Sequence, residues 1–205
     1  MRREPKWVPS LSVLGVALAS LLSADALAGP CTGHKLLRAP RAELSCSNVK
    51  PQVYPSPDGT LRAVVYPVDI SLNATSDMES RVVIRTSKGD TLTSKDCASP
   101  RGFNGYYVVN AKWSPDSKFF VYSMSSSGGH SPWQFPIAVY GRAANRFAQF
   151  SDIIKGEPTL SADFKFTGPH TLLASTWKQS GSLDDKVPVT VDLEDAFGKL
   201  PPSSD

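Results

Sequence analysis

Apolar residues in this chain recur in short runs rather than on helical stripes. Seven runs stand out: Leu61–Ile70 (LRAVVYPVDI), Arg81–Thr86 (RVVIRT), Tyr106–Trp113 (YYVVNAKW), Lys118–Met124 (KFFVYSM), Pro136–Tyr140 (PIAVY), Thr171–Trp177 (TLLASTW) and Val187–Leu193 (VPVTVDL). β-Branched and aromatic side chains dominate them, and Gly, Pro, Asn, Asp and Ser separate them. That is the sequence form of antiparallel strands joined by turns. Beyond residue 28 no window of eleven or more residues carries the apolar spacing of an amphipathic helix. Leu193–Leu200 suits one or two helical turns, and 201–205 reads as a disordered tail. The expected fold is all-β, made of antiparallel meander sheets.

The first 28 residues follow a different pattern. A basic head, Met1–Lys6, precedes an uncharged apolar stretch, Trp7–Leu22, and Ala26-Leu27-Ala28 stands before Gly29 as a small-x-small cleavage site. This is the three-part layout of a secretory signal peptide. The competing reading is a retained membrane anchor, but the stretch is about 16 residues where a spanning helix needs about 20. Pro9, Ser10, Ser12 and Ser20 dilute it further. Arg2-Arg3 is followed by Glu4-Pro5, a poor match to a twin-arginine signal, and Pro30 precedes Cys31 where a lipoprotein signal needs a small residue. The expectation is a secreted or periplasmic protein with no integral membrane segment after cleavage. Export permits disulfides. Cys31, Cys46 and Cys97 allow one bridge and one leftover thiol, and spacing alone leaves the pairing open. Cys31–Cys46 is the preferred pair, because both lie in an irregular segment, 29–52, that needs tying down. A loop of about 15 residues gains roughly 3 kcal/mol in the chain-entropy model.

Composition changes the picture in two ways. The chain of 205 residues holds 17 prolines, 14 glycines and 27 serines, a share that touches the range of disordered sequences. Against this stand 40% hydrophobic residues and 19 aromatics, more than a disordered chain carries. Turn-rich β-structure satisfies both. Lys and Arg total 22 against 19 Asp and Glu, and residues 29–205 carry 19 basic and 17 acidic side chains. The basic residues are dispersed, with no stripe beside the aromatics, so no nucleic-acid partner is expected. The length after the leader suits one domain, 53–200, following the irregular 29–52.

The most informative feature is an internal repeat. Ser56-Pro57-Asp58-Gly59-Thr60-Leu61 and Ser114-Pro115-Asp116-Ser117-Lys118-Phe119 stand 58 residues apart, each ahead of a predicted strand, with Tyr54 and Trp113 just upstream. Ser161-Ala162-Asp163-Phe164-Lys165-Phe166 is a weaker third copy, 47 residues further on, lacking both Pro and Gly. Proline presets φ for the first corner of a type I turn, Asp tolerates the second, and Gly accepts a positive φ. Asp58 and Asp116 are therefore read as turn residues rather than catalytic acids.

This arrangement resembles the repeat of TolB-type β-propellers, WD-like blades marked by an aromatic residue, S-P-D-G and a hydrophobic run. The resemblance covers about 53–142, and to 193 in its widest reading. It implies blade-like meander sheets with functional residues in loops and a central channel, and it assigns no particular site residue here. Propellers close with about 4–8 blades, and this chain has length for about three. It is expected to form a partial, propeller-like assembly or a sheet stack that closes by self-association, with a β-sandwich as the alternative.

Candidate chemistry is sparse. His34, His130 and His170 form no i, i+4 pair and flank no cysteine pair, so no metal site is expected. The chain has no G-x-S-x-G, phosphate-binding glycine loop or H-E-x-x-H, and no cofactor is expected. Asp184-Asp185 and Glu194-Asp195 read as solvated acidic pairs. Trp113, Phe119, Tyr122, Phe164, Phe166 and Trp177 read as core aromatics. The unusual segment is Ser125–Phe135 (SSSGGHSPWQF), a flexible loop between two predicted strands. Its Ser127, Gly128, Gly129, His130, Trp133 and Phe135 form the candidate binding set, since loops on rigid β-scaffolds carry function and aromatics supply contact area. The alternative is that Trp133 and Phe135 fold back onto the core over a Ser/Gly spacer. Asn73-Ala74-Thr75, in the first repeat's long loop, is a glycosylation sequon. The expected function is non-catalytic binding of a protein or cell-envelope component. The alternatives are a small exported hydrolase with a dispersed Ser–His–carboxylate triad, and a protein resembling extracellular enzyme inhibitors.

Overall fold

The computed structural model describes residues 50–69, 79–99, 105–128, 134–156, 159–177 and 186–201, with the backbone of Ser45–Cys46. The leader, His34, the Cys31–Cys46 pairing, the sequon, Asp184-Asp185 and 202–205 lie outside the described residues.

Three antiparallel sheets follow one another along the chain. The first holds β1 (Ser45–Cys46), β2 (Gln52–Pro55), β3 (Leu61–Asp69), β4 (Glu79–Thr86) and β5 (Thr91–Asp96). β3, β4 and β5 form a meander, and β2 and β1 share the remaining edge of β3, at Arg62–Val65 and Val68–Asp69 respectively. Residues 45–46 and 52, read from sequence as irregular, thus belong to this sheet. The second sheet is the meander β6 (Tyr106–Trp113), β7 (Phe119–Ser126), β8 (Ile137–Gly141) and β9 (Arg146–Gln149), followed by the short helix α1 (Phe150–Ile154). The third is β10 (Lys165–Phe166), β11 (Thr171–Trp177) and β12 (Lys186–Asp192), followed by α2 (Leu193–Gly198). The all-β reading holds.

Side chains alternate faces along a strand, and this fixes how the sheets stack. Phe120, Tyr122 and Met124 of β7 join Leu61, Ala63, Val65, Val82 and Ile84 of the first sheet in one core. The intervening Phe119 and Val121 join Leu172 and Ala174 of β11, with Phe150, Leu193 and Phe197 from the helices, in a second core. The second sheet is therefore the middle layer, covered on both faces, and β7 is buried at six successive positions. That explains why KFFVYSM reads as an unbroken apolar run rather than an alternating one. β11 has only one closed face, and its positions alternate between buried and half-buried. The arrangement has one layer more than a two-sheet sandwich.

The two Ser-Pro-Asp turns match bond by bond. Gly59 N–H donates to the Ser56 carbonyl at 2.9 Å and Ser117 N–H to the Ser114 carbonyl at 2.9 Å. Gly59 and Ser117 hold φ of +69° and +63°, the left-handed conformation that follows a type I turn. Glycine adopts it freely, whereas Ser117 pays a steric cost for it. The Ser56 and Ser114 hydroxyls donate to Asp58 Oδ1 and Asp116 Oδ1, each at 2.6 Å. The third sequence copy, Ser161–Phe166, runs into β10 and does not occupy the matching place. Ahead of β11 that place is taken by Thr167-Gly168-Pro169-His170, closed by Thr167 N–H donating to the Thr171 carbonyl at 2.9 Å.

Candidate binding cleft

Where β5 leaves the first sheet, it faces the start of β6 and the β7–β8 end of the second. A cleft of about 360 Å³ opens there, lined by Cys97, Tyr106, Met124, Gln134, Pro136 and Thr159 among others. Gln134 belongs to the loop singled out from sequence, Ser125–Phe135, and Met124 and Pro136 flank its two ends. Ser127 and Gly128 continue from β7 and are half-buried; Gly129, His130 and Trp133 lie outside the described residues. Phe135 is half-buried, and its backbone is clamped: its N–H donates to the Thr159 carbonyl at 2.9 Å, and its carbonyl accepts from the Thr159 hydroxyl.

The ends of the loops at this site converge on one carboxylate. Glu79, at the start of β4, is only 2% exposed. Its Oε1 accepts from Gly105 N–H at 2.6 Å and from the Ser127 hydroxyl at 2.6 Å, and its Oε2 accepts from Ser99 N–H at 2.7 Å. Ser99 and Gly105 flank the segment joining β5 to β6, and Ser127 begins the candidate loop. A carboxylate can sit here because several donors replace the water it loses. Gly105 is required: a Cβ at that position would fall 2.2 Å from the Glu79 carboxyl carbon.

Cys97 lines the same cleft with a free thiol. Burial pushes its pKa up to about 11, and its Sγ lies 3.9 Å from the Tyr122 hydroxyl. It is protonated at neutral pH and is not an activated nucleophile.

At the end where the Ser-Pro-Asp turns lie, the turn aspartates clasp the next sheet. Asp58 Oδ2 accepts from Arg142 Nη1 at 2.6 Å, and Asp58 N–H donates to Ser117 Oγ at 3.0 Å. The Ser56 hydroxyl, with Arg142 and Thr60, holds the Asp58 carboxyl well below the usual carboxylate range. Asp116 Oδ2 lies 2.8 Å from His170 Nδ1. Burial pushes Asp116 up, but the Ser114 hydroxyl and His170 outweigh it and leave its pKa lowered. Ser114 and His170 thus engage the same carboxylate, and the serine donates to Asp116 rather than to the imidazole. That is a structural clasp, without the serine-to-histidine bond a triad requires.

His170 carries a pH dependence. The hydrogen bond with Asp116 raises its pKa, as do the charges of Asp192, Asp116 and Glu194. A folded pKa above the unfolded value of 6.5 means stability fully present below that value and lost as pH rises through the folded pKa. Asp116 has the opposite sign: its contribution is present above the unfolded value of 3.8 and is lost as pH falls through the lowered folded one. Urea melts are expected to show the stability from this clasp falling as pH rises past 6.5 in the wild type. In His170→Gln that slope should vanish; an unchanged slope would assign it to another group.

The sequence marked Asp58 and Asp116 as turn residues but missed their tertiary partners Arg142 and His170, and it missed Glu79 as the anchor of the loop ends. Compared with known proteins, the chain matches no family model and no curated protein. Among the described residues no group of three or more His, Cys, Asp or Glu side chains is arranged to hold a metal ion.

Proposed function

We propose that this is an exported, non-catalytic binding protein that takes a protein or cell-envelope component at the loop-rimmed cleft. The observation that carries the reading is the convergence of loop ends on buried Glu79 beside a cleft of about 360 Å³. A scaffold that spends a buried carboxylate on fixing loop ends presents those loops in a defined geometry, which lowers the ordering cost of binding. The Ser-Pro-Asp turns, matched in hydrogen bonding 58 residues apart, support a propeller-like repeat in which sheets serve as scaffold and loops as the binding surface. The basic N-terminal head, apolar stretch and Ala26-Leu27-Ala28 support export.

The test is capture of envelope components by the tagged mature protein. Two variants are compared with wild type: His130→Ala/Trp133→Ala in the loop, and Gln134→Trp, at an exposed rim position, to obstruct the cleft. Loss of the captured component in both, with melting temperatures unchanged, is the expected result. Full capture by both variants would refute the assignment.

A further inference from the structure

The face of the first sheet turned away from the second carries two charges that lack acceptors among the described residues. Arg62 on β3 and Arg85 on β4 are direct cross-strand partners. They project from the face opposite Ala63 and Ile84, alongside buried Val64, Tyr66 and Val83. Like charges directly opposed on an antiparallel pair repel, and a guanidinium cannot shed its proton to relieve this. Other described arginines have acceptors. Arg81 pairs with Asp96 at 2.8 Å, Arg142 with Asp58 at 2.6 Å, and Arg146 donates to the carbonyls of Leu200 and Pro201. Arg62 Nε and Nη2 and Arg85 Nε are buried and make no hydrogen bond among the described residues. Leaving such donors unmade is costly, so the face is incomplete as it stands.

The geometry shows what would complete it. Nε and Nη2 are the two parallel donors with which a guanidinium grips a pair of oxygens. The Arg85 guanidinium lies over the Tyr66 ring, 5.8 Å from its centroid, which orients it. The β4–β5 turn puts Gly89 beside Arg62 Nη2, so no side chain from that position covers the guanidinium. Both arginines are half-buried rather than closed off, so part of each side chain reaches solvent. Two adjacent, uncompensated cations call for a doubly charged oxyanion. We propose that Arg62 and Arg85, with Tyr66, form a binding site for a phosphomonoester or free phosphate group. The site stands independently of the cleft and its loop.

The experiment measures thermal melting of the mature protein in inorganic phosphate against chloride at matched ionic strength, for wild type and for Arg62→Gln/Arg85→Gln. Wild type is expected to gain a saturable rise, roughly 5 °C at phosphate a hundredfold above Kd, because a ligand that binds only the native state stabilises it. The variant should show no rise, and in chloride it should melt at or above wild type, since the opposed charges are gone. Co-sedimentation with phosphatidic acid vesicles, against phosphatidylcholine vesicles, identifies the source. Capture by the former alone assigns a membrane phosphomonoester. A melting response to free phosphate without vesicle capture assigns a soluble one. Neither response, an equal response in the variant, or a variant that melts several degrees below wild type in chloride would overturn the site.

Discussion

Replacing Glu79 with alanine is expected to lower the unfolding free energy by on the order of 3–5 kcal/mol. Four donors converge on this carboxylate: the N–H groups of Ser99 and Gly105, and the hydroxyls of Ser99 and Ser127. Alanine leaves the Ser99 and Gly105 N–H groups without their acceptor in a site where Glu79 is 2% exposed, while the Ser127 hydroxyl keeps the Gly105 carbonyl at 3.2 Å, and each unsatisfied buried donor costs about 1–3 kcal/mol. Glu79→Gln should cost less, because its oxygen keeps one pair of donors while its amide nitrogen opposes the other. Gly105→Ala is an independent test from the donor side, since its methyl group would displace the carboxylate. Urea denaturation measures all three. Each should also weaken capture of a cleft-bound component, because the loop ends lose their common anchor. A change below about 1 kcal/mol in Glu79→Ala would mean that these donors find water instead.

Phe120→Ala is expected to cost about 4 kcal/mol, within the range for deleting a buried aromatic ring. Phe120 is fully buried, with its ring centroid 5.7 Å from that of Tyr54, 5.3 Å from Trp113 and 5.9 Å from Tyr122. Trp113 adds a second tie to Tyr54, donating Nε1–H to its carbonyl at 2.8 Å. These rings join the first sheet to the second, so the vacancy lies between two layers rather than within one. The chevron or equilibrium urea midpoint should fall with the slope unchanged. Val53→Ala serves as the control: Val53 is 40% exposed, and its truncation should change stability by less than about 0.5 kcal/mol.

The strands with strong patterns were legible from sequence. Tyr106–Trp113 and Thr171–Trp177 have the predicted ends, and the other five runs shift by one or two residues. The strands that escaped notice were the two-residue β1 and β10, too short to show a period, and β2 (QVYP), β5 (TLTSKD) and β9 (RFAQ). Each lies at the edge of its sheet, where few positions are buried, so polar residues are tolerated and the two-residue period is blurred. α1 escaped because five residues are too few to show a helical period. At α2 the sequence suggested the start at Leu193, and the structure supplies the cause. The Asp192 carboxylate caps the helix by accepting from the N–H groups of Glu194 and Asp195 at 3.0 and 3.1 Å.

The candidate site divides in the same way. Met124, Gln134 and Pro136 line the cleft and flank or belong to the loop that its Ser, Gly and aromatic content had marked. Glu79 ends the polar stretch NATSDME, with nothing in its neighbours to distinguish it from a solvated acid. Its importance comes from Gly105, 26 positions away, and Ser127, 48 positions away.

By itself, the sequence determined what is settled within a few residues. The Ser-Pro-Asp turns close on hydrogen bonds spanning two to five positions, and the β-branched and aromatic runs commit their segments to strands. Tertiary structure alone decided which carboxylate is buried, which turn aspartate holds Arg142 or His170 across 84 or 54 positions, and which arginine nitrogens stay buried without a partner among the described residues. The reason is physical. Turns and strands answer to local sterics and to their own backbone bonds. The partner of a charged side chain depends on which faces the hydrophobic effect presses together, and burial of apolar surface chooses layers without regard to distance along the chain.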